Sequence, residues 1–168
     1  HYPALSLSQP TGAQAIVNFG RSHGVVFEVW IEIDTDGHRS GMKPEDAQLL
    51  AVGHALHDGA MRLGGVMTHA GSSYELDTPD ALQALAEQER NLCVRAAQRI
   101  REAGLACPEV SIGSTPTALS AQNLEGVTEV RAGVYVFFDL VMHNVGICQA
   151  GELALSVLTT VIGHQQEK

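Results

Sequence analysis

Short apolar, β-branched runs alternate along this chain with longer stretches whose apolar residues recur every three or four positions. Residues 4–8 read as a short strand, and residues 13–22 as a helix ended by Gly24. Residues 25–34, rich in β-branched and aromatic side chains, predict a buried strand. Residues 44–58 predict a helix with Pro44 in its first turn, Leu49, Val52 and Leu56 on one face, and Gly59 as its stop. A strand at 63–69 follows. The clearest element is a helix over about 79–103, capped by Asp77 or Thr78 and ended by Gly104. Leu82, Leu85, Ala86, Cys93, Ala96, Ala97 and Ile100 share one side of it, while Glu87, Arg90, Arg95 and Arg101 fill the other. Strands at 109–113 and around 127–130 come next, residues 134–140 continue apolar, and 152–162 read as one more strand with no partner after it.

This alternation predicts an α/β fold with a parallel sheet. About five strand–helix units are legible, where a complete (β/α)₈ barrel needs eight and roughly 250 residues. The expectation is a partial (β/α)₈ TIM-type barrel over 1–147, with 148–168 as the beginning of a C-terminal β domain. At 168 residues, with no initiator Met, the chain reads as a piece of a longer protein. No low-complexity tract or internal repeat stands out.

Charge narrows the partners. Ten basic residues stand against 19 acidic ones, for a net charge of −9, and the basic ones are scattered. That argues against nucleic acid and anionic membrane surfaces. No apolar run reaches the roughly 18–20 residues of a membrane span, and no signal-peptide pattern is present. Cys93, Cys107 and Cys148 form neither a CxxC nor an even framework, which suits free thiols in a reducing cytoplasm.

The candidate chemistry sits at the C-terminal ends of the expected strands, where parallel barrels build active sites. Glu32-Ile-Asp-Thr-Asp-Gly-His-Arg39-Ser-Gly41 is either a turn made by its Asp and Gly residues or a loop that brings Arg39 over the barrel mouth to meet an anionic oxygen. His69, in Thr68-His69-Ala70-Gly71-Ser72-Ser73-Tyr74, is either structural or part of a site; no second ligand stands at metal spacing around it. His38, His54 and His57 read as surface residues or as supports behind a site. Gly113-Ser114-Thr115-Pro116-Thr117 offers hydroxyls and backbone amides to an anion. Arg131-Ala-Gly133-Val134-Tyr135 adds a second glycine and a guanidinium on a later strand. No role is assigned to Asp139 or His143. A phosphate cradle beside groups suited to a flat heterocycle suggests pyridoxal phosphate. The two lysines, Lys43 and Lys168, are not placed to hold that cofactor covalently.

On these residues the chain resembles the fold-type III pyridoxal-phosphate enzymes, the alanine racemase-like barrels, and within them the D-serine dehydratase and D-threonine aldolase branch. The matching segments are 32–42, 66–74, 110–118, 128–139 and 154–161, in family order. The resemblance implies that Arg39 contacts the cofactor's phenolic oxygen, that His69 lies beside the pyridine ring, and that Arg131 addresses the pyridine nitrogen. It implies that Ser114, with Gly113 and Thr115, holds the phosphate together with the backbone of Gly133 and Val134. Tyr74 and Tyr135 match tyrosines near the cofactor. His69 is the one candidate catalytic group in this chain, and no metal ligand is expected in it.

The resemblance also places two elements outside the chain. The family's Schiff-base lysine lies upstream of His1, and the divalent metal of the dehydratase and aldolase branch, zinc or manganese, is held downstream of Lys168. The implied protein is a cytoplasmic homodimeric lyase that acts on a D-amino acid with metal assistance, either a D-threonine aldolase or a D-serine dehydratase. Alternatives are a racemase of the same fold, which needs a tyrosine from the partner subunit, and a barrel that binds the cofactor without catalysis. An ordinary sugar-phosphate barrel would explain residues 113–115 but not Arg39, His69 and Arg131.

Overall fold

The computed structural model describes residues 4–163. Five strands form one sheet in sequence order, each parallel to the next: β1 (Ala4–Leu7), β2 (Glu28–Glu32), β3 (Arg62–Met67), β4 (Glu109–Ile112) and β5 (Glu129–Val130). Three long helices cross between them: α1 (Pro10–His23), α2 (Ala47–Asp58) and α3 (Pro79–Glu102). Sequential order with helical crossovers on one face is barrel topology, and the sheet is an arc of a TIM-type barrel.

The core lies between sheet and helices. Val29, Ile31, Ile33, Val66, Val110 and Ile112 point toward Val17, Leu49, Leu56, Cys93, Ala97 and Ile100, all nearly or fully buried. Small residues on α3 let the helix approach the strands closely. The other sheet face meets the arc's interior and mixes apolar with polar groups: Leu5, Trp30 and Met67 line it together with Ser111, Glu129 and Arg131. Alternation along each strand therefore separates a packing face from a chemical face.

Boundaries differ from expectation where capping wins over hydrophobic period. Helix α1 begins at Pro10 rather than residue 13, because proline suits the first helical position. Helix α2 begins at Ala47 rather than 44, because the Asp46 carboxylate caps it by accepting from the Gln48 amide at 2.8 Å. Strand β2 stops at Glu32 because the chain folds back on itself: Met42 N donates to Glu32 O and Asp34 N to Met42 O, both at 2.9 Å. Two short helices follow β4 and β5: α4 (Thr115–Ser120) and, beyond a 3-10 turn at Val134–Val136, α5 (Leu140–Asn144).

The strand expected over 152–162 is not formed. Glu152 closes a 3-10 turn, and residues 153–163 belong to no helix or sheet. Strand structure needs a partner for its amides, and here the Ala154 amide donating to Phe137 O is the anchoring bond. Leu155, Val157, Leu158, Val161 and Ile162 stand exposed. Before this stretch, Cys148 and Leu153 pack with Met142, Val145 and Tyr74 in a small second core. All three cysteines are free and buried. Burial pushes the Cys107 thiol up to about 11 and Cys93 higher still.

Candidate active site

Four loops leave the C-terminal ends of β2 to β5 side by side. Side chains tie each to its neighbour. The Asp36 carboxylate, on the β2 loop, accepts from the Ser72 amide (2.9 Å) and hydroxyl (2.8 Å) on the β3 loop. Burial alone would raise the Asp36 pKa, but these bonds and the His38 amide outweigh it and hold the carboxyl below the usual range. Thr35 meets Thr68 through their hydroxyls at 3.1 Å, and Gln88 of α3 donates to Thr35 O at 2.6 Å. His38 and Glu75 add an exposed pair at 3.0 Å. The β3 and β4 loops join through Ser73 and Ser114, Oγ to Oγ at 2.8 Å. The β4 and β5 loops join where the Val134 amide donates to Thr115 Oγ1 at 3.1 Å.

The tied loops enclose a pocket of about 140 Å³ lined by Glu32, Arg39, Ser40, Thr68, His69 and Arg131. Arg131 is fixed from behind: Nε donates to Ser111 Oγ at 2.7 Å and one Nη to Thr68 O. Ser111 in turn donates to the Glu129 carboxylate. Arg39 is exposed and makes no hydrogen bond or ion pair among the described residues. Its stem lies across Gly71, where an added Cβ would stand 2.9 Å from Arg39 Cγ. Glu32 lines the same pocket with both carboxylate oxygens engaged, by Ser6 Oγ (2.8 Å) and Ser40 Oγ (2.7 Å).

His69 is half-buried and stacks on Tyr74, with ring centroids 6.0 Å apart and planes 19° from parallel. Desolvation, then the charges of Arg39 and Arg131, lower its pKa, so its imidazole is neutral at pH 7. Burial raises the Tyr74 pKa, which keeps that phenol protonated. The pocket thus presents two guanidinium groups, a neutral imidazole, and a carboxylate with both oxygens occupied. This donor set suits an anionic, flat ligand.

Beside it, Gly113-Ser114-Thr115 turns from β4 into α4. Gly113 has φ +121°, and a Cβ there would lie 2.5 Å from Arg131 O, so both conformation and space require glycine. Ser114 caps α4 through a reciprocal box with Thr117: its hydroxyl receives the Thr117 amide at 3.3 Å, and its amide meets Thr117 Oγ1 at 3.0 Å. Ser114 and Thr115 are 2% and 1% exposed, so their side chains serve the loop's internal bonding.

The structure therefore brings Arg39, His69, Arg131 and Tyr74 together, and seats Gly113, Ser114, Thr115 and Val134 alongside them. Gly133 is exposed, and a Cβ there would meet nothing within 4 Å. Tyr135 is 52% exposed and contacts none of these residues through a hydrogen bond or ring among the described residues. His54 and His57 lie exposed on α2, and among the described residues no group of three or more His, Cys, Asp or Glu could hold a metal ion. No helix among them is long and apolar enough to cross a membrane.

Sequence reasoning missed Glu89 and gave no role to Asp36. Glu89 is 1% exposed on the buried face of α3, and its Oε1 accepts from the Ala70 amide (3.0 Å) and the Gly113 amide (3.3 Å). A glutamate four residues before Cys93 and three after Ala86, inside an otherwise apolar stripe, was the available signal.

A parallel barrel arc with a cationic, imidazole-bearing pocket beside a Gly-Ser-Thr loop defines the class of racemase-like barrels. The chain belongs to the family described as alanine racemase, N-terminal domain, whose profile matches residues 4–141. It is 69% identical over 165 residues to D-threo-3-hydroxyaspartate dehydratase of Delftia sp. strain HT23, covering 98% of this chain and 43% of that protein. The solved structure of that dehydratase superposes with a TM-score of 0.93 over 96% of this chain and 43% of the other. D-serine dehydratase of Dictyostelium discoideum is 27% identical over 84% of this chain and 38% of its own length. D-threonine aldolase of an Arthrobacter species is 29% identical over 81% and 34%. The chain thus spans less than half the length of each of these relatives.

Proposed function

We propose that the complete protein carrying this chain is a pyridoxal-phosphate-dependent lyase that dehydrates a D-β-hydroxy amino acid, with D-threo-3-hydroxyaspartate as the first substrate to test. The observation that carries this reading is the convergence of Arg39, Arg131 and neutral His69 on one pocket, in a chain 69% identical to a dehydratase of that substrate. The residues present fit the cofactor: the pocket's cationic surplus suits a phenolic oxygen, and the open space beside Gly133 adjoins the 113–115 loop.

In this reading His69 would lie against the pyridine ring, and its depressed pKa keeps a third positive charge from being placed beside the two arginines. Arg39 donates to the phenolic oxygen. Arg131 would face the ring nitrogen and, because a guanidinium does not give up its proton, would leave that nitrogen unprotonated. Ser114 and Thr115 shape the loop; with the Gly113, Ser114 and Val134 amides already bonded within the protein, the Thr115 and Gly133 amides would be the ones to meet the phosphate, Val134 bordering it. When bound, pyridoxal phosphate supplies electron withdrawal from the substrate's Cα. A Schiff-base lysine and a divalent metal belong to segments outside this chain. A structure of the Delftia dehydratase carrying a cysteine-to-alanine change is described as the metal-free form, which supports a metal in the relatives. Residues 148–168 lead, in this reading, into a C-terminal β domain. A cytoplasmic homodimer completes it.

The test is turnover by the complete protein with pyridoxal phosphate and Zn²⁺ or Mn²⁺. Oxaloacetate and ammonia from D-threo-3-hydroxyaspartate, or pyruvate and ammonia from D-serine, establish the dehydratase. Glycine and acetaldehyde from D-threonine as the dominant reaction would make it an aldolase instead. Cofactor binding with no turnover of any of the three would leave a binding barrel and overturn the lyase reading.

A further inference from the structure

We infer that Glu89 is a positioning residue for the candidate site, and that it fixes the β3 and β4 loops as a neutral carboxyl group. Its Oε1 is the common acceptor for two amides on adjacent loops, Ala70 next to His69 and Gly113 next to Ser114. One atom thereby sets the spacing between the imidazole and the Gly-Ser-Thr turn. It also turns the Gly113 amide inward; with the Ser114 amide held by Thr117 Oγ1 and a proline at 116, the Thr115 amide is the one on this turn left to meet an anion.

The protonation state follows from the surroundings. Glu89 is 1% exposed, and its Oε2 has no hydrogen-bond partner among the described residues. The Thr117 hydroxyl of α4 is near enough to favour ionisation, yet it is engaged with Ser114, at 3.0 Å to Oγ and 3.4 Å to the carbonyl. Arg131, reaching in from β5, favours the ionised form electrostatically but forms no ion pair with Glu89 among the described residues. Cys93, one turn along α3, is a buried neutral thiol. A buried carboxylate with one oxygen unpartnered and no ion-paired cation is costly, whereas a protonated acid keeps Oε1 as acceptor and gives Oε2 a proton to donate toward Thr117 Oγ1. Burial, the largest influence on this group, raises its pKa in the same direction. A neutral group also avoids setting a negative charge behind a loop read as a phosphate site. On that last point alone, the inference rests on the pyridoxal-phosphate reading.

Glu89→Gln and Glu89→Leu in the complete protein test it. Glutamine preserves a neutral acceptor, and leucine removes it. Three quantities are measured: hydrogen exchange of segments 69–71 and 112–114 in the cofactor-free protein, pyridoxal-phosphate affinity, and the unfolding midpoint at pH 6 and pH 8. Glu89→Gln is expected to keep wild-type exchange and an affinity within about threefold. Glu89→Leu leaves both amides unpaired and is expected to speed exchange in both segments and weaken affinity by about tenfold or more. A purely structural role would not predict the pH result. An acid whose folded pKa is raised contributes fully below its unfolded value and loses that contribution as pH rises through the folded one. The midpoint difference should therefore move in favour of Glu89→Gln from pH 6 to pH 8. Exchange unchanged in Glu89→Leu, or Glu89→Gln speeding exchange as much as Glu89→Leu, overturns the inference. If the leucine variant does not fold, the glutamine variant's exchange and pH trend decide alone. A wild-type protein that binds no pyridoxal phosphate refutes the function above, while the exchange comparison still judges Glu89.

Discussion

Asp36→Asn is the most direct probe of how the loops are held. The carboxylate accepts three donors: the Ser72 amide, the Ser72 hydroxyl and, through Oδ1, the His38 amide at 3.2 Å. A carboxamide has one oxygen. If that oxygen faces Ser72, the NH₂ group opposes the His38 amide; if it faces His38, the Ser72 amide is left without an acceptor. Hydrogen bonds to a charged group contribute about 1.5–3 kcal/mol each when buried. Asp36 is only partly buried, so solvent screening reduces the total loss to roughly 1–2 kcal/mol. At about 2–4 °C per kcal/mol for a domain of 150–250 residues, melting of the barrel domain should fall by roughly 2–8 °C. Loosening of the loop that carries Arg39 should also weaken pyridoxal-phosphate binding roughly five- to tenfold. The assay is thermal unfolding of the complete protein with a cofactor titration in parallel. The sign with pH is fixed: a carboxyl with a lowered folded pKa contributes above its unfolded value of about 3.9 and loses that contribution as pH falls through the folded one. Wild type and variant should therefore converge in acid. Coincident melting within about 1 °C at pH 7, with unchanged affinity, would refute the view that this bond holds the loops together.

Arg39→Ala should lower cofactor affinity about tenfold while leaving stability within about 0.5 kcal/mol, because Arg39 is exposed and unbonded among the described residues; fluorescence titration and melting separate the two. Ser114→Ala removes the cap of α4 and the bond to Ser73, and should cost about 1–2 kcal/mol together with a raised cofactor requirement, measured by urea unfolding and activity against pyridoxal-phosphate concentration. Gly113→Ala combines a forbidden φ with a 2.5 Å clash against Arg131 O, and should destabilise by about 2 kcal/mol or more in the same unfolding assay, displacing Arg131 with it.

The sequence carried the periodic parts of the fold well. Helix α3 was legible because Leu82 to Ile100 repeat at three and four and Thr78 caps it, accepting from the Ala81 amide at 3.4 Å. The β2 boundary was not, because the back-fold from Met42 to Glu32 is a contact between positions ten apart, with no periodic signature. At the site, Arg39, His69 and Arg131 were found because each ends a strand-like run or follows one. Their supports escaped for a different reason. Ser111 and Glu129 lie on the interior face of the sheet, and Glu89 on the buried face of a helix; what they do depends on which strands become neighbours, and composition does not reveal that. At 152–162 the β-branched, apolar run predicts a strand, and among the described residues 153–163 form none and stand largely exposed, because strand formation depends on a partner as well as on propensity.

The site's charge balance explains why so many of its bonds run through neutral groups. The chain carries a net charge of −9, yet its candidate pocket gathers two arginines against one carboxylate. Glu32 is held by two serine hydroxyls, Glu129 reaches Arg131 through Ser111, and Glu89 meets backbone amides. In no case does one of these carboxyl groups form a direct ion pair with either pocket arginine among the described residues. A direct pair would neutralise the guanidinium that an anionic ligand needs, whereas a hydroxyl relay orients it and leaves its charge available. This arrangement makes a distinctive demand on Ser111. Replacing it with alanine removes the relay without altering any charge, so Arg131 should lose orientation while its charge remains. The pocket would then still attract anions but discriminate poorly among flat ones. Pyridoxal phosphate and its 1-deaza analogue, which differ only at the ring nitrogen that Arg131 would meet, offer the pair of ligands on which that loss can be read.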